Sequence, residues 1–296
     1  MKQISMEDLL IVTFVLIDDW YKAKAYHKLH IGRKAEMTDS EVLTLILAMD
    51  FMEFTSERHY LEFIRANYKY LFPNLLDQSQ YNRRVRNLVS VLDSLRLAWA
   101  NQLGLAFEKH FLLDTTPVIA IGYNRDKSHS DFLGSAGYGY CSARKLKYFG
   151  YKLVLLSTLN GLPGFLELVP ANIDERAAAN EVLDRLPDGA LVIGDKGFIG
   201  EDWKSEWTGI NILTPYKENQ KKQLPTSIQR LINGLRERIE GVYKVAKEGG
   251  RGIEHTLAHT VEGLISRIFG KIAGLTLRHY LKTFFNIDVM TYKQAC

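Results

Sequence analysis

The sequence predicts a mixed α/β region that lies between two all-helical segments. Apolar residues recur at helical spacing through the first hundred residues, and short apolar runs alternate with helical patterns from residue 110 onward. Residues 253–285 return to helical spacing without a strand signal. We therefore expect a helical region at 1–105, an α/β region at 106–250 and a helical extension at 251–296.

Composition and the N-terminus narrow the class of protein. The chain of 296 residues is 46% hydrophobic and 24% charged, which favours a folded core over disorder. Glu7 and Asp8 interrupt the N-terminus, so no secretion signal is predicted. The apolar run Leu9–Ile17 is too short to span a membrane. Two cysteines, Cys141 and Cys296, favour a reducing, cytoplasmic setting over a disulfide framework.

The helical first hundred residues contain a recognisable helix start and an arginine-rich turn. Thr38-Asp39-Ser40-Glu41 predicts a capping box before a buried helix, and further helices are predicted to begin at Ser56 and Ser79. This arrangement resembles a helix-turn-helix, in which the first turn of the last helix contacts bases and phosphates. An ordinary helical bundle with a basic edge is the alternative. The candidate DNA contacts are Arg83, Arg84 and Arg86.

In the α/β region, strand and helix patterns follow one another in a definite order. The predicted strands are His110–Leu113, Tyr148–Thr158, Gly164–Val169, Ala190–Ile193 and Ile210–Leu213. The predicted helices are Asp174–Leu186, Phe198–Trp207 and Thr226–Lys247. Asn160-Gly161 predicts a hairpin turn. The order indicates hairpin strands followed by right-handed crossovers in one mixed sheet.

Positive charge is unevenly distributed, although the net charge is only +4. Residues 217–251 carry nine Lys or Arg against four acids. Residues 125–152 carry a second basic cluster, Arg125, Lys127, Arg144, Lys145, Lys147 and Lys152, against Asp126 and Asp131. Clusters of this kind favour a polyanion such as nucleic acid, whereas a single cluster is more often a solvated helix face.

Three acidic residues form the candidate site. Asp114 and Asp195 each end an apolar strand, and Glu240 lies in the long helix. In a sheet of the predicted order the first and fourth strands are neighbours, so their carboxylates are expected to meet. Carboxylates that meet repel one another and usually hold a divalent cation between them. Each aspartate taken alone also fits a helix cap or a turn.

The long helix presents its acid beside two cations. At about 100° per residue, Arg236, Glu240 and Lys247 fall within about 40° of one another. They border an apolar stripe expected to face the sheet, formed by Ile228, Ile232, Leu235, Ile239, Val242 and Ala246. The acid can therefore join the aspartates. An exposed Arg236–Glu240 ion pair explains the spacing equally well.

Together these motifs resemble the DDE transposases of bacterial insertion sequences, which have an RNase H-like core. Four segments carry the resemblance: Asp114-Thr115-Thr116-Pro117-Val118, Gly150–Leu153 with Pro170-Ala171-Asn172, Gly194–Phe198, and Arg236–Glu240 followed by Tyr243 and Lys247. The family signature is Tyr, two residues, Arg, three residues, Glu, six residues, Lys. This chain departs from it only in having Asn233 at the tyrosine position.

The resemblance implies chemistry and partners. Asp114, Asp195 and Glu240 would bind two Mg²⁺ or Mn²⁺ ions as the catalytic and metal-binding residues, and Lys196, Arg236 and Lys247 would position phosphates. The substrates would be double-stranded DNA, namely the terminal inverted repeats of a transposon and a target, handled by a homodimer on DNA. A bacterial, nucleoid-associated location follows from the same resemblance.

Two alternatives to a transposase remain open at this point. One is a structure-specific DNA nuclease on the same core. The other is a non-catalytic DNA-binding derivative. The basic helical N-terminus favours a transposase over a nuclease, because it resembles an end-recognition domain, and the presence of all three acids argues against decay of the site.

Overall fold

The computed structural model describes residues 4–24, 26, 35–215, 225–247, 252–253 and 257–289; within these ranges the side chains of 143, 229, 233, 236–240 and 245 are not described. Contacts divide the chain into two compact units. One contains residues 1–99 and 246–296, and the other contains residues 100–245. The C-terminal segment thus groups with the N-terminal helices, and the division into three regions stays a prediction.

The first unit is helical. Its helices are α1 (Met6–Ala23), α2 (Asp39–Ala48), α3 (Glu57–Asn67), α4 (Gln78–Asn87), most of α5 (Val89–Gln102) and α9 (Val261–Phe285). The predicted capping box at the start of α2 is confirmed, since the Glu41 amide donates to Thr38 Oγ1 and the Thr38 amide donates to Glu41 Oε2. All residues of α2 from Val42 to Ala48 are buried, so this helix forms the centre of the unit's core.

One helix prediction in this unit needs correction, and another stays untested. The single helix predicted to begin at Ser79 is followed directly by a second one, because α4 ends at Asn87 and α5 begins at Val89. The connection from α3 to α4 covers residues 68–77, longer than the short turn of a typical helix-turn-helix. The structure confirms helices here and leaves their DNA-binding role untested.

The second unit contains a six-stranded mixed sheet. Its strands are β1 (His110–Ile121), β2 (Gly137–Cys141), β3 (Leu146–Thr158), β4 (Pro163–Pro170), β5 (Ala190–Gly194) and β6 (Ile210–Leu213). The order is β2-β3-β1-β5-β6, and β4 also pairs with β3. Strands β1, β2 and β4 run antiparallel to β3, whereas β5 runs parallel to both β1 and β6. The prediction that the first strand lies beside the strand that precedes Asp195 is confirmed.

Two strand predictions were incomplete. Strand β1 continues eight residues past the predicted end at Leu113, because the segment Thr115-Thr116-Pro117 pairs with β3. Strand β2, with the sequence Gly-Tyr-Gly-Tyr-Cys, was not predicted, since glycines are depleted in strands and its pairing with β3 is a tertiary contact. The hairpin turn at Gly161 is confirmed by its φ of 82°.

Helices flank the sheet in the predicted places. They are α6 (Glu175–Leu183), α7 (Glu201–Ser205) and α8 (Thr226–Lys247). The apolar stripe of α8 is confirmed at Ile232 and Ala246, which are 1% and 0% exposed, but Ile228 is 39% exposed and does not belong to it. None of the helices in the described ranges is long and apolar enough to cross a membrane.

Candidate active site

The register between β1 and β5 brings the two aspartates together. Leu113 pairs with Gly194, so Asp114 and Asp195 are the next residues on adjacent parallel strands. The Asp195 backbone is still extended, with φ −76° and ψ 176°, and directly paired residues of neighbouring strands share a face. The two half-buried aspartates are therefore expected to present their carboxylates side by side at the carboxyl end of β5. Because β1 continues to Ile121, Asp114 lies within its strand, and the prediction that it ends a strand is wrong.

Each aspartate also accepts a hydrogen bond from the residue that follows it. The Thr115 amide donates to Asp114 Oδ1 at 2.7 Å, and the Lys196 amide donates to Asp195 Oδ1. Asp195 thereby caps the short 3-10 turn Lys196–Phe198, so the capping alternative noted from the sequence is realised. Because an amide contact uses one lone pair of one oxygen, it leaves further acceptor capacity on each carboxylate.

A further acid, Glu175 in the first turn of α6, connects the two aspartate segments. The Thr115 hydroxyl donates to Glu175 Oε1 at 3.3 Å. A Cβ placed on Gly197 would lie 1.8 Å from Glu175 Oε2, so a larger residue here would displace the end of the Glu175 side chain. Sequence reasoning missed Glu175. The available signal was an acid in the first turn of a helix that follows a strand of the same sheet.

Tyr243 anchors α8 to the strand that carries Asp114. Its phenol donates to the main-chain carbonyls of Asp114, at 2.8 Å, and Leu153, at 3.3 Å. Burial raises the pKa of Tyr243 well above its usual range, and the Asp114 carboxylate raises it further. The phenol therefore stays protonated and remains a donor at neutral pH. Tyr243 was read from the sequence as part of a motif, without this role.

Glu240 lies in α8 one turn before Tyr243. The side chains of Glu240 and Arg236 fall outside the described residues, so their predicted roles stay predictions. Lys247 is half-buried in the last turn of α8, and Lys196 is exposed directly after Asp195. The contact of Tyr243 with Asp114 brings the part of α8 that contains Glu240 to the aspartate edge of the sheet.

Asp114 and Asp195 offer some of the ligands that a hard divalent cation needs. Asp114 and Asp195 supply carboxylate oxygens, which Mg²⁺ and Mn²⁺ prefer. Among the side chains that the structure describes, no group of three or more His, Cys, Asp or Glu is arranged to hold a metal ion. The two aspartates can supply two of the predicted ligands, and the predicted third ligand is Glu240.

The arginines of α4 differ in their surroundings. Arg83 is exposed. Arg84 makes an ion pair with Asp39 and donates to the carbonyl of Met37 at 3.1 Å, so it contributes to the helical unit itself. Arg86 is half-buried. Arg83 is therefore the best placed of the three for contact with a phosphate.

Comparison with known proteins identifies one family model. The family model described as "Transposase DDE domain" matches residues 106–294 of the chain. Comparison with the curated proteins and with the solved structures gave no match. The matched range includes the whole six-stranded sheet, the aspartate pair and α8.

Proposed function

Because the chain belongs to the Transposase DDE domain family, we propose that it is a DNA transposase that cuts transposon ends and joins them to target DNA. The family implies a polynucleotidyl-transferase type of enzyme that acts on DNA. The observation that supports the proposal is the parallel register of β1 and β5, in which Leu113 and Gly194, the residues directly before Asp114 and Asp195, are paired.

Sheet topology supports an RNase H-like core. The path β4-β3-β1-β5-β6 combines three antiparallel strands with two parallel ones, and the strand bearing the first aspartate is central. Strand β2 is an addition that lies beside the first half of β3, end to end with β4. Ligands of such sheets bind outside the carboxyl ends of parallel strands, which is where Asp195 lies.

In the proposed mechanism Asp114, Asp195 and Glu240 would hold two Mg²⁺ or Mn²⁺ ions. Such ions, when bound, activate the attacking hydroxyl and stabilise the leaving 3′ oxygen in an in-line displacement. Lys196, Arg236 and Lys247 position the phosphates by charge. No protein side chain serves as the nucleophile.

The residues around the acids hold them in place. Tyr243 connects α8 to the backbone of Asp114, and Glu175 lies between the segments that carry the two aspartates. Rigid support of this kind matters because catalysis requires the ligands to be held within about half an ångström of their working positions.

The proposed partners are double-stranded transposon ends and target DNA, bound by a homodimer. The helical unit would recognise the terminal repeats, with Arg83 on α4 as its best exposed phosphate contact. Two ends have to be processed together, and a two-fold symmetric dimer provides two equivalent sites.

The direct test uses the terminal inverted repeats that flank the coding sequence in its own genome. The full chain is incubated with a labelled duplex of one such end, a supercoiled target plasmid and Mg²⁺. Joined products support the transposase. Cuts without joining would indicate a nuclease, and binding without either would indicate a non-catalytic derivative. Chelation with EDTA is expected to stop both steps, and added Mg²⁺ to restore them.

Variants test the assignment of residues. Asp114→Ala and Glu240→Gln are each expected to lower cleavage by about a thousandfold or more, since metal ligands contribute several kcal/mol to the transition state. Glu206→Gln is the matched control, because Glu206 is an exposed acid at the end of α7. Full activity in both acid variants would disprove the assigned site.

A further inference from the structure

A cluster of exposed tyrosines lies on the hairpin that β2 forms with the start of β3, and on the segment that follows β1. Tyr123, Tyr138 and Tyr140 are 41%, 55% and 60% exposed. Lys127 and Lys147 lie beside them, and we call these five residues the tyrosine patch. Large aromatic side chains that stay together in solvent mark an interaction surface more often than isolated ones do.

Strand register places these side chains on one face. Tyr138 lies opposite Phe149 and Tyr140 lies opposite Lys147 in the antiparallel pair. Directly opposite residues share a face of the sheet, so all four side chains project to the same side. The two tyrosines therefore form a continuous surface with the lysine.

Packing on the other face fixes this orientation. Gly139 lies between the two tyrosines, opposite Tyr148. A Cβ at Gly139 would come within 2.8 Å of both the Tyr148 ring and the Ala171 side chain. Since that face is filled, a slip of one residue that turned the tyrosines inward would be strongly unfavourable.

Contacts among the rings hold the patch in shape. Tyr123 meets Tyr138 edge to face at 5.6 Å, and Tyr138 meets Phe149 at 4.9 Å. Lys127 Nζ lies 5.3 Å from the Tyr138 ring and donates to the carbonyl of Tyr123 at 2.6 Å. Rings that are already ordered lose little conformational entropy when a ligand stacks on them.

The surroundings of the patch are basic. Arg125, Arg144, Lys145 and Lys147 are exposed on the loops and the strand around it. The carboxylate of Asp126 accepts hydrogen bonds from the hydroxyl and the amide of Ser128. Excess positive charge next to aromatic rings suits a polyanion that also carries flat, stackable groups.

The tyrosine patch shares its sheet face with Asp114. Asp114 lies opposite Leu155, and Phe149 is six residues away on the continuous strand β3, an even number that keeps the same face. Six residues of strand extend about 20 Å at about 3.3 Å per residue. The side chains between them on this face, Tyr151 and Leu153, are 4% and 0% exposed, so a DNA strand would pass over the residues that cover the sheet. Nucleotides of one DNA strand rise about 3.4 Å each, so about six of them span this distance.

We propose that the tyrosine patch binds unpaired DNA bases by stacking, and that it holds a single-stranded segment continuing from the DNA at Asp114 and Asp195. The stacking surface stands on its own geometry, whereas the continuity with the acidic edge rests on the proposed function. Proteins that bind single strands combine positive charge along the backbone with aromatic rings for the bases, and the patch has both.

Fluorescence anisotropy of the full chain tests the stacking. The probes are a labelled oligothymidylate and a labelled duplex of equal length in the same salt. The variants are Tyr138→Ala/Tyr140→Ala and Tyr138→Phe/Tyr140→Phe. Phe107→Ala is the matched control, because Phe107 is an exposed aromatic residue of the same unit, with 89% of its surface accessible.

The alanine pair is expected to weaken oligothymidylate binding about tenfold or more, since each stacked base contributes substantially to affinity. The phenylalanine pair keeps the rings and is expected to bind within about twofold of the unchanged protein. Duplex binding should also stay within about twofold in both, which shows that the variants are folded. An unchanged affinity of the alanine pair, or an equal loss for duplex and single strand, would overturn the proposal.

Cleavage assays separate this inference from the proposed function. If the unchanged protein cleaves transposon ends while the alanine pair binds single strands normally, the stacking proposal is wrong and the proposed function is supported. If the protein binds single strands through the patch but does not cleave DNA, the proposed function is wrong and the stacking proposal is supported. Quenching of 2-aminopurine in the bound oligonucleotide reports stacking directly and should be lost only in the alanine pair.

Discussion

Acidic residues occupy opposite environments in the two units of the chain. In the helical unit Asp50 is fully buried, and Lys271 Nζ lies 2.6 Å from its Oδ1. In the sheet unit Asp114, within β1, and Asp195, directly after β5, are half-buried. A buried carboxylate needs a cation from within the fold, whereas a half-buried carboxylate is accessible to a ligand from solution. The same residue type thus stabilises one unit and forms the candidate site of the other.

Glu57 is a second buried acid of the helical unit, and its partners also come from within the fold. It is 4% exposed and accepts a hydrogen bond from Asn82 Nδ2 at 2.8 Å. Arg267 Nη2 lies 3.8 Å from its other oxygen. Its two partners come from α4 and α9, so a buried acid here connects helices that are distant in sequence.

The largest expected effect on stability comes from breaking the buried ion pair. Asp50→Ala should lower the free energy of unfolding by about 3–5 kcal/mol, because it leaves the Lys271 ammonium buried without its counter-charge. Asp114→Ala should cost less than about 1 kcal/mol, since Asp114 is half-buried. Urea denaturation followed by circular dichroism measures both.

A matched pair tests the cause of that effect. Lys271→Met should be destabilising for the same reason, and Asp50→Leu/Lys271→Met should cost less than the sum of the two single changes. Equal losses for Asp50→Ala and Asp114→Ala would remove the distinction between the two kinds of acid.

The next effect concerns close backbone contact in the sheet unit. A Cβ at Gly150 would lie 2.1 Å from the main-chain oxygen of Val118, and a backbone atom cannot move aside cheaply. Gly150→Ala should therefore cost about 3 kcal/mol. Gly241→Ala in α8 is the control, because no atom lies within 4 Å of its added Cβ, and it should stabilise the protein by up to about 1 kcal/mol. Similar thermal midpoints for the two variants would contradict this account of β1 and β3.

A smaller effect is expected when α8 loses its hydrogen bond to β1. Tyr243→Phe keeps the buried ring and removes the donor to the carbonyls of Asp114 and Leu153. We expect a loss of about 1–2 kcal/mol in the free energy of unfolding, together with reduced cleavage of transposon ends. Cleavage at the normal rate by a measurably destabilised variant would show that this contact supports the fold alone.

The smallest effect on stability is expected at Gly197. The added methyl of Gly197→Ala meets the end of the Glu175 side chain, which can rotate away, so the cost should be below about 1 kcal/mol. Cleavage should nevertheless fall, because the displaced carboxylate gives up its contact with Thr115. Combining Gly197→Ala with Glu175→Asp shortens the obstructing side chain and should recover part of the activity. A lack of recovery would indicate that Gly197 acts without Glu175.

Much of the sheet unit could be predicted because its elements carry strong local signals. Strand β6 and helix α8 have the predicted bounds, and β3, β4 and β5 differ from them by one or two residues at an end. Continuous apolar runs and a 3.6-residue period identify such elements without knowledge of their partners. The positions of Asp114 and Asp195 at neighbouring strands followed from that order of elements.

What escaped prediction depends on pairing between distant segments. Strand β2 and the second half of β1 exist because β3 is long enough to pair with both. Glu175 reaches Thr115 and Gly197, the neighbours of the two aspartates, only through tertiary packing.

By itself the sequence determined the types of most elements, their order and the position of Asp195 directly after a strand, because hydrophobic periodicity and turn residues are local properties. The tertiary structure alone decided which acids are buried with a cation, which side chain holds α8 against β1, and which tyrosines remain in solvent. These outcomes depend on the register between strands and on packing across the sheet, where a shift of one residue turns a side chain to the opposite face.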